Sequence, residues 1–350
     1  MVLNSLDARY GSTYRIRALW RVLKSSGYRV QYIEGSGPKL SRFRTSFDVA
    51  FGRYHVLFTQ KFNPVTLLAM LIARLRGKPI VVDWDDLDAG LQSNRLKGLL
   101  AAVWERIGPS LASTVTTHSQ AIRQRAVRDG LPVYLLPQGF DEALFRPDLV
   151  CRARARGDLG LAEHDFLVGY MCTFTHGGAI DISTVLDVFS EVNAPDVRFL
   201  IIGGGPLHGR IEDLVKRLGI QERVQFTGLV PHERVPAILS ALDLAVVYMS
   251  DTPANRARVS FKVLECLAME VPVVGHLVGE SERAFGHLIH KADRKQLPGA
   301  IRAAREAPLP RVDRQSVHQY RWNQLAGALD QAVWSALSRG GRQHGKESGS

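Results

Sequence analysis

Residues 199–206 read Phe199-Leu200-Ile201-Ile202-Gly203-Gly204-Gly205-Pro206. Four apolar residues meeting three glycines have the pattern of a buried strand running into a tight turn. Leu207–Leu218 reads as a helix stopped by Gly219, and Val224–Phe226 as the next strand. Strand, helix and strand in such close succession make a parallel βαβ unit.

The same alternation extends in both directions. Toward the C-terminus, Val235–Ser240 and Ser260–Met269 are helices, and Leu244–Tyr248 and Val271–Val274 are strands. Toward the N-terminus, Phe166–Met171 is a strand and Ile182–Val192 a helix. An earlier series has strands at Met1–Leu6, Val30–Ile33, Val56–Thr59, Ile80–Asp83, Thr114–Thr117 and Val133–Leu136. Its helices are Tyr14–Ser25, Pro64–Arg76, Leu96–Ala112 and Ser119–Asp129. The fold class expected is therefore α/β, with two Rossmann-like doubly wound domains facing a cleft. Ligands of such sheets sit beyond the carboxyl ends of the strands. The expected divisions are 1–150, 151–310, a helical segment 311–337 crossing back to the first domain, and a disordered tail 338–350.

Composition narrows the function classes. The 350 residues are 45% hydrophobic and 23% charged, which excludes wholesale disorder and a small disulfide scaffold. The longest apolar stretch, Val65 to Ala73, is far short of the roughly 18 residues that span a bilayer. The N-terminus shows no cleavable signal pattern. Cys151, Cys172 and Cys266 are widely spaced, with no zinc-like cluster, as in a reducing compartment. Of the net charge of +11, +9 lies in residues 1–150. Arg9, Arg15, Arg17, Arg21 and Lys24 crowd around the first loop and helix. That asymmetry points to an anionic partner such as a phospholipid surface, or to a merely solvated basic face. No helix-turn-helix, RNP or zinc pattern supports nucleic acid as the partner.

The richest chemistry lies in Asp251–Gly275, DTPANRARVSFKVLECLAMEVPVVG. Ser260 is placed to cap the following helix, whose free amides favour anions. Lys262 adds a cation in its first turn, and Glu265 follows one turn later on the same face. The carboxylate can accept bonds from vicinal ribose hydroxyls. The bland alternative is a surface Lys and Glu at i, i+3 spacing.

The run from Phe261 through Lys262, Glu265 and Pro272 to Val274 resembles the donor-site signature of family 4 glycosyltransferases of the GT-B fold. Ile201–Pro206 is similar to that family's glycine-rich turn, Val224–Val230 to its base-proximal strand and loop, and Leu136–Pro147 to its interdomain passage. The resemblance implies sugar transfer from a nucleotide sugar with retention, no catalytic metal and no cofactor. It implies that Glu265 holds the ribose and that Lys262 lies where the donor phosphates pass, with Gly204, Gly205, Ser260 and Phe261 among the donor-binding residues. Gly228 and Leu229 fall where the base is contacted.

Two departures stand out. Ala257 occupies the position of a first Glu in many members. The stretch Thr173-Phe174-Thr175-His176 replaces the family's Arg and Lys, so Thr173, Thr175 and His176 are the expected diphosphate ligands, with His176 assisting departure of the leaving group. In the first half, Asp83, Asp85 and Asp86 follow a strand, where their repulsion needs a ligand, a base or a cation to offset it. They are candidate catalytic residues, where the family often has a His. Gly11, Arg15, Arg17 and His118 are candidate acceptor ligands, His118 equally a structural residue.

The activity implied is a glycosyltransferase acting in glycan, glycolipid or surface-polysaccharide biosynthesis. The expected partners are a nucleotide-sugar donor, a sugar or lipid-linked acceptor and an anionic membrane surface. The location expected is cytoplasmic, peripheral on the inner membrane face. A nucleotide-sugar 2-epimerase and a non-catalytic nucleotide-sugar-binding partner are the alternatives.

Overall fold

In the computed structural model, which describes residues 2–4, 11–34, 39–92, 94–162 and 164–344, the strands collect into two six-stranded sheets. The chain forms two units: residues 1–139 with 257–259 and 320–350, and residues 140–256 with 260–319.

In the first unit, helices and strands alternate as β1 (Val2–Asn4), α1 (Gly11–Ser25), β2 (Tyr32–Glu34), α2 (Lys39–Phe51), β3 (Leu57–Gln60) and α3 (Pro64–Leu75). They continue as β4 (Ile80–Asp83), α4 (Arg95–Ile107), β5 (Thr114–Thr117), α5 (Gln120–Arg128) and β6 (Val133–Leu135). The sheet order is β2-β1-β3-β4-β5-β6, all parallel. Every residue of β3, β4 and β5 is buried, as a strand covered on both faces requires. Successive side chains go to opposite layers. Ile80 and Val82 pack with Ala69, Met70 and Ile122 of α3 and α5, whereas Phe58 and Val81 pack with Ile16 and Leu19 of α1. Asn63 starts α3 with a reciprocal cap, accepting from Val65 N and Thr66 N at 3.1 Å while Thr66 Oγ1 accepts from Asn63 N.

The second unit runs α6 (Arg152–Asp158), β7 (Phe166–Met171), α7 (His176–Ser190), β8 (Val197–Ile202), α8 (His208–Arg217), β9 (Val224–Phe226), α9 (Val235–Ala241) and β10 (Leu244–Tyr248). It continues through α10 (Pro253–Ala257), α11 (Phe261–Ala268), β11 (Val273–His276), α12 (Gly279–Phe285), β12 (His290–Lys291) and α13 (Leu297–Glu306). The strand order β12-β11-β10-β7-β8-β9 reverses direction between β7 and β10. That is the doubly wound pattern whose ligand crevice opens at the switch point.

Helix α14 (Ala326–His344) returns to the first unit, where Leu329 and Val333 pack with α1 residues and Trp322 lies against Gly139. It runs past residue 338, where a disordered tail was expected. All five tryptophans, Trp20, Trp84, Trp104, Trp322 and Trp334, belong to the first unit.

The two α/β series stand as expected, with shifted ends. Helix α2 is an addition, and two of its aromatic residues run against a periodicity argument: Phe47 and Phe51 are exposed while Ser46 is buried beside Val49. Helix α4 stops at Ile107 and gives way to a 3₁₀ turn over Gly108–Leu111, because Pro109 has no N–H to continue the ladder.

Candidate active site

Three loops leave the carboxyl ends of β7, β8 and β9 and are tied together through glycine. Gly203 has φ +130°, and a Cβ there would stand 1.9 Å from the Cys172 carbonyl oxygen. Only glycine lets these two backbones meet. Gly203 N donates to Thr227 Oγ1 at 3.2 Å, and Phe174 N donates to the Gly204 carbonyl at 3.1 Å. A Cβ on Gly205 would lie 2.8 Å from the Phe174 oxygen, and one on Gly204 3.2 Å from Leu229 N. The structure therefore gathers Thr173, Gly204, Gly205, Gly228 and Leu229 at one end of the sheet. Helix α7 starts just past Thr175, whose side chain makes no capping bond. The helix begins at His176, but the side chain of His176 lies outside the described residues.

Helix α11 supplies the other wall. Ser260 occupies its N-cap position, but its side chain makes no cap bond, contrary to expectation; its backbone N–H donates instead to Ser281 Oγ at 2.9 Å. Phe261 and Lys262 form the first turn, with the Lys262 ammonium 6.0 Å from the centre of the Tyr170 ring on β7. Glu265, read as a possible surface carboxylate, is 2% exposed. Its Oε1 lies 2.5 Å from His232 Nε2, and the His232 ring stands 5.4 Å from Phe145 and 5.8 Å from Phe261. Burial pushes the Glu265 carboxyl above its usual range, against the pull of His232 and Lys262. Ala257, at the position of the missing Glu, is buried, whereas Arg256 is exposed and held by Asp251. Cys172 is no nucleophile: burial pushes its thiol up to about 12.

The first-unit candidates are placed differently from expectation. Arg15 and Asp83 are not open to solvent but form a buried bidentate pair at 2.8 and 3.0 Å. The same guanidinium donates to Gln138 Oε1 and to the Leu136 and Pro137 carbonyls, and Thr116 Oγ1 donates to Asp83 at 2.8 Å. Both side chains are buried, and the fold itself takes up the N–H donors of Arg15. Arg17 pairs with Glu34 at 2.9 Å. Gly11 opens α1, and Arg9 lies outside the described residues.

Asp85 and Asp86 have a base at hand, and it is Lys61. Its ammonium lies 2.9 Å from Asp86 and Asp88 and 3.7 Å from Asp85, which also accepts from Gln60 Nε2 at 3.1 Å. Lys61 holds φ +58°, an unusual backbone state for a lysine at a strand end. The groups separate in acidity. Burial drives Asp85 well above the usual carboxylate range, whereas for Asp86 the same burial is outweighed, chiefly by Lys61, and the group sits at about 2. Burial also lowers His118 to about 4, so its imidazole is neutral at pH 7.

The family profile described as "Glycosyl transferases group 1" matches residues 166–306, which hold the three loops and α11. The chain is also similar to the 2-deoxystreptamine N-acetyl-D-glucosaminyltransferase of Streptomyces fradiae, 34% identical over 226 residues, covering 61% of this chain and 52% of the relative. A second relative is the GDP-mannose-dependent alpha-(1-6)-phosphatidylinositol monomannoside mannosyltransferase of Mycolicibacterium smegmatis, 28% identical over 216 residues, covering 60% and 55%. The chain thus spans about half the length of these relatives. Among solved structures, Anabaena Alr3699/HepE in complex with UDP and glucose superimposes with a TM-score of 0.66 at 16% identity, over 99% of this chain and 97% of that one. WaaG, a glycosyltransferase involved in lipopolysaccharide biosynthesis, gives 0.64 at 14% identity, over 97% and 98%. The chain therefore has the fold class of GT-B enzymes.

His232 and Lys61 escaped the sequence reading. His232 stands 33 positions before Glu265, with no motif linking the two. Lys61 could be found only through the pairing of Gln60 on β3 with Asp83 on β4, which brings the two strand ends together.

Proposed function

We propose that the protein is a glycosyltransferase that moves a sugar from a nucleotide-sugar donor to an acceptor hydroxyl, with retention and without a required covalent intermediate. The observation that carries this reading is Glu265, a buried carboxylate held 2.5 Å from His232 one helical turn from Lys262. A buried carboxylate with one oxygen anchored is a preorganised acceptor for paired hydroxyls, and the desolvation it endures is offset when a ligand donates to it.

On this reading Glu265 holds the ribose, and Gly228 and Leu229 face the base. Lys262, Thr173, Thr175, Gly204, Gly205 and the first amides of α7 stabilise the charge that grows on the diphosphate as its bond to the sugar breaks. His176 donates to a phosphate oxygen. The acceptor belongs to the first unit, at the ends of β4 and β5, where Asp85, Asp86 and His118 stand. Asp83 and Arg15 act there by holding the strand ends in place. The test is a screen of the purified protein against UDP-, GDP-, ADP- and dTDP-sugars, read by nucleotide release and thermal shift. A protein that neither binds nor turns over any of them refutes the reading.

Among the described residues no helix is long and apolar enough to cross a membrane. We place the protein in the cytoplasm, peripheral on an anionic membrane face, with a membrane-bound or surface-polysaccharide precursor as acceptor. The basic excess of residues 1–150 supports this, as does the phosphatidylinositol acceptor named for the Mycolicibacterium relative.

A further inference from the structure

Helix α4 is inside out. Leu96, Leu99, Leu100, Val103 and Ile107 recur at the spacing of one helical face, and that face is the exposed one. Toward the protein the helix buries Ala101 and Glu105. Helix α3, which buries Val65, Ala69, Met70 and Ala73, also exposes Leu68, Leu71 and Leu75, and α2, which buries Val49, exposes Phe47 and Phe51; across the three helices the exposed side chains are 39% to 82% exposed. Single exposed leucines need no explanation, but ten large apolar side chains on successive helices do.

These helices form one layer. Side chains of α2, α3, α4 and α5 belong to the same core cluster on one face of the sheet, α2 packs on α3, and the turn Gly108–Leu111 touches both α3 and α4. The cations on this layer are exposed: Arg44, Arg74, Arg95, Lys97 and Arg106. The acids are nearly absent. α3 has none, α2 has Asp48, and the single acid of α4, Glu105, is buried, accepting from Ala89 N at 3.1 Å and pairing with Arg125. The α1 face is a poorer candidate, since Arg15 is buried and Arg17 is neutralised by Glu34.

We propose that the outward face of α2, α3 and α4 is the surface on which the protein sits on an anionic bilayer, its apolar side chains entering the headgroup boundary and its arginines and lysines meeting lipid phosphates. This rests on the membrane reading above and moves the contact away from the first helix. An apolar stripe flanked by cations, with almost no acid, matches both components of such a surface. A second copy of the chain would bring the same cations against each other, which disfavours a self-paired interface.

The experiment is flotation of the full chain with phosphatidylcholine vesicles, with and without phosphatidylglycerol. It compares the natural protein with Leu99→Glu/Val103→Glu and with Arg21→Glu/Lys24→Glu, each at low and high salt. All changed residues are exposed, and nucleotide calorimetry on each variant reports the second unit separately. Expected is flotation with phosphatidylglycerol vesicles that survives in part at high salt, is lost in the α4 variant and persists in the α1 variant. Flotation that survives in the α4 variant, or is lost in the α1 variant alone, overturns this face while keeping the membrane reading. No flotation of the natural protein overturns both, and intact nucleotide binding then leaves the transferase reading standing. A dimer in sedimentation that the α4 variant dissolves, without flotation, assigns the face to a second copy and overturns the proposal.

Discussion

Glu265 Oε1 and His232 Nε2 sit 2.5 Å apart, both largely withdrawn from solvent, with the rings of Phe145 and Phe261 5.4 and 5.8 Å from the imidazole. When ionised, Glu265 can only accept, so the contact is then a hydrogen bond from Nε2–H of the ring. Two opposed influences set the charge of Glu265: burial raises its pKa and His232 lowers it.

Glu265→Ala is expected to weaken nucleotide binding by ~1.5–3 kcal/mol, about tenfold to a hundredfold, with little change in folding. His232→Phe has a subtler signature. Binding needs the carboxylate, so affinity is full above the Glu265 pKa and lost as pH falls through it. Without His232 that pKa rises further, and the loss must begin at a higher pH than in the natural protein. Calorimetry across pH checks both; unchanged affinity in Glu265→Ala rejects the ribose assignment.

Lys262→Ala and His176→Ala are expected to depress turnover more than affinity for the bare nucleoside. Removing one preorganised donor to a developing charge costs roughly 10²- to 10³-fold in rate. Normal rates in both variants with a working donor would mean that the phosphate subsite lies elsewhere.

Arg15→Met leaves Asp83 charged and buried with only Thr116 as a side-chain partner. Breaking a buried pair in this way costs about 3–5 kcal/mol. Because every tryptophan is in the first unit, urea unfolding followed by tryptophan fluorescence reads that loss directly. The double variant Arg15→Met/Asp83→Asn should recover part of it.

His118 gives a pH dependence of stability. Burial takes its pKa from 6.5 to about 4 in the folded protein. The unfolded chain therefore takes up the proton first, and stability is lost as pH falls from about 6.5 to about 4, by roughly 3 kcal/mol, then no further. The difference between the natural protein and His118→Gln in urea titrations should show that window. A flat difference would mean that the imidazole is solvated.

The parallel sheets were legible because short β-branched and apolar runs are local signals. Ile80–Asp83, Thr114–Thr117 and Phe166–Met171 have the same ends in sequence and structure. Helix α2 was not legible, since periodicity assumes that apolar residues point inward and Phe47 and Phe51 do not. At the site, the Phe261–Glu265 run stood out by its resemblance to a donor-site signature, while its spacing alone also allowed a surface Lys and Glu. The partners that set their charge could not, because His232 and Lys61 arrive from other loops through the strand order. Arg15 was misjudged for the same reason: a basic residue beside a glycine loop looks free until Asp83 appears across the sheet at 2.8 Å.

The first unit opens with β1 but is finished by Trp322, Leu329 and Val333, which fill the side of its sheet that Phe58 and Val81 line. On the ribosome that side has only α1 over it while residues 140–319 are made, whereas the second unit has nearly its whole chain in one run. The usual order of domain completion is reversed: the half made first is finished last. A chain that ended near residue 319 would carry the second unit joined to a sheet whose α1 face still lacks Trp322, Leu329 and Val333, a ready client for a chaperone.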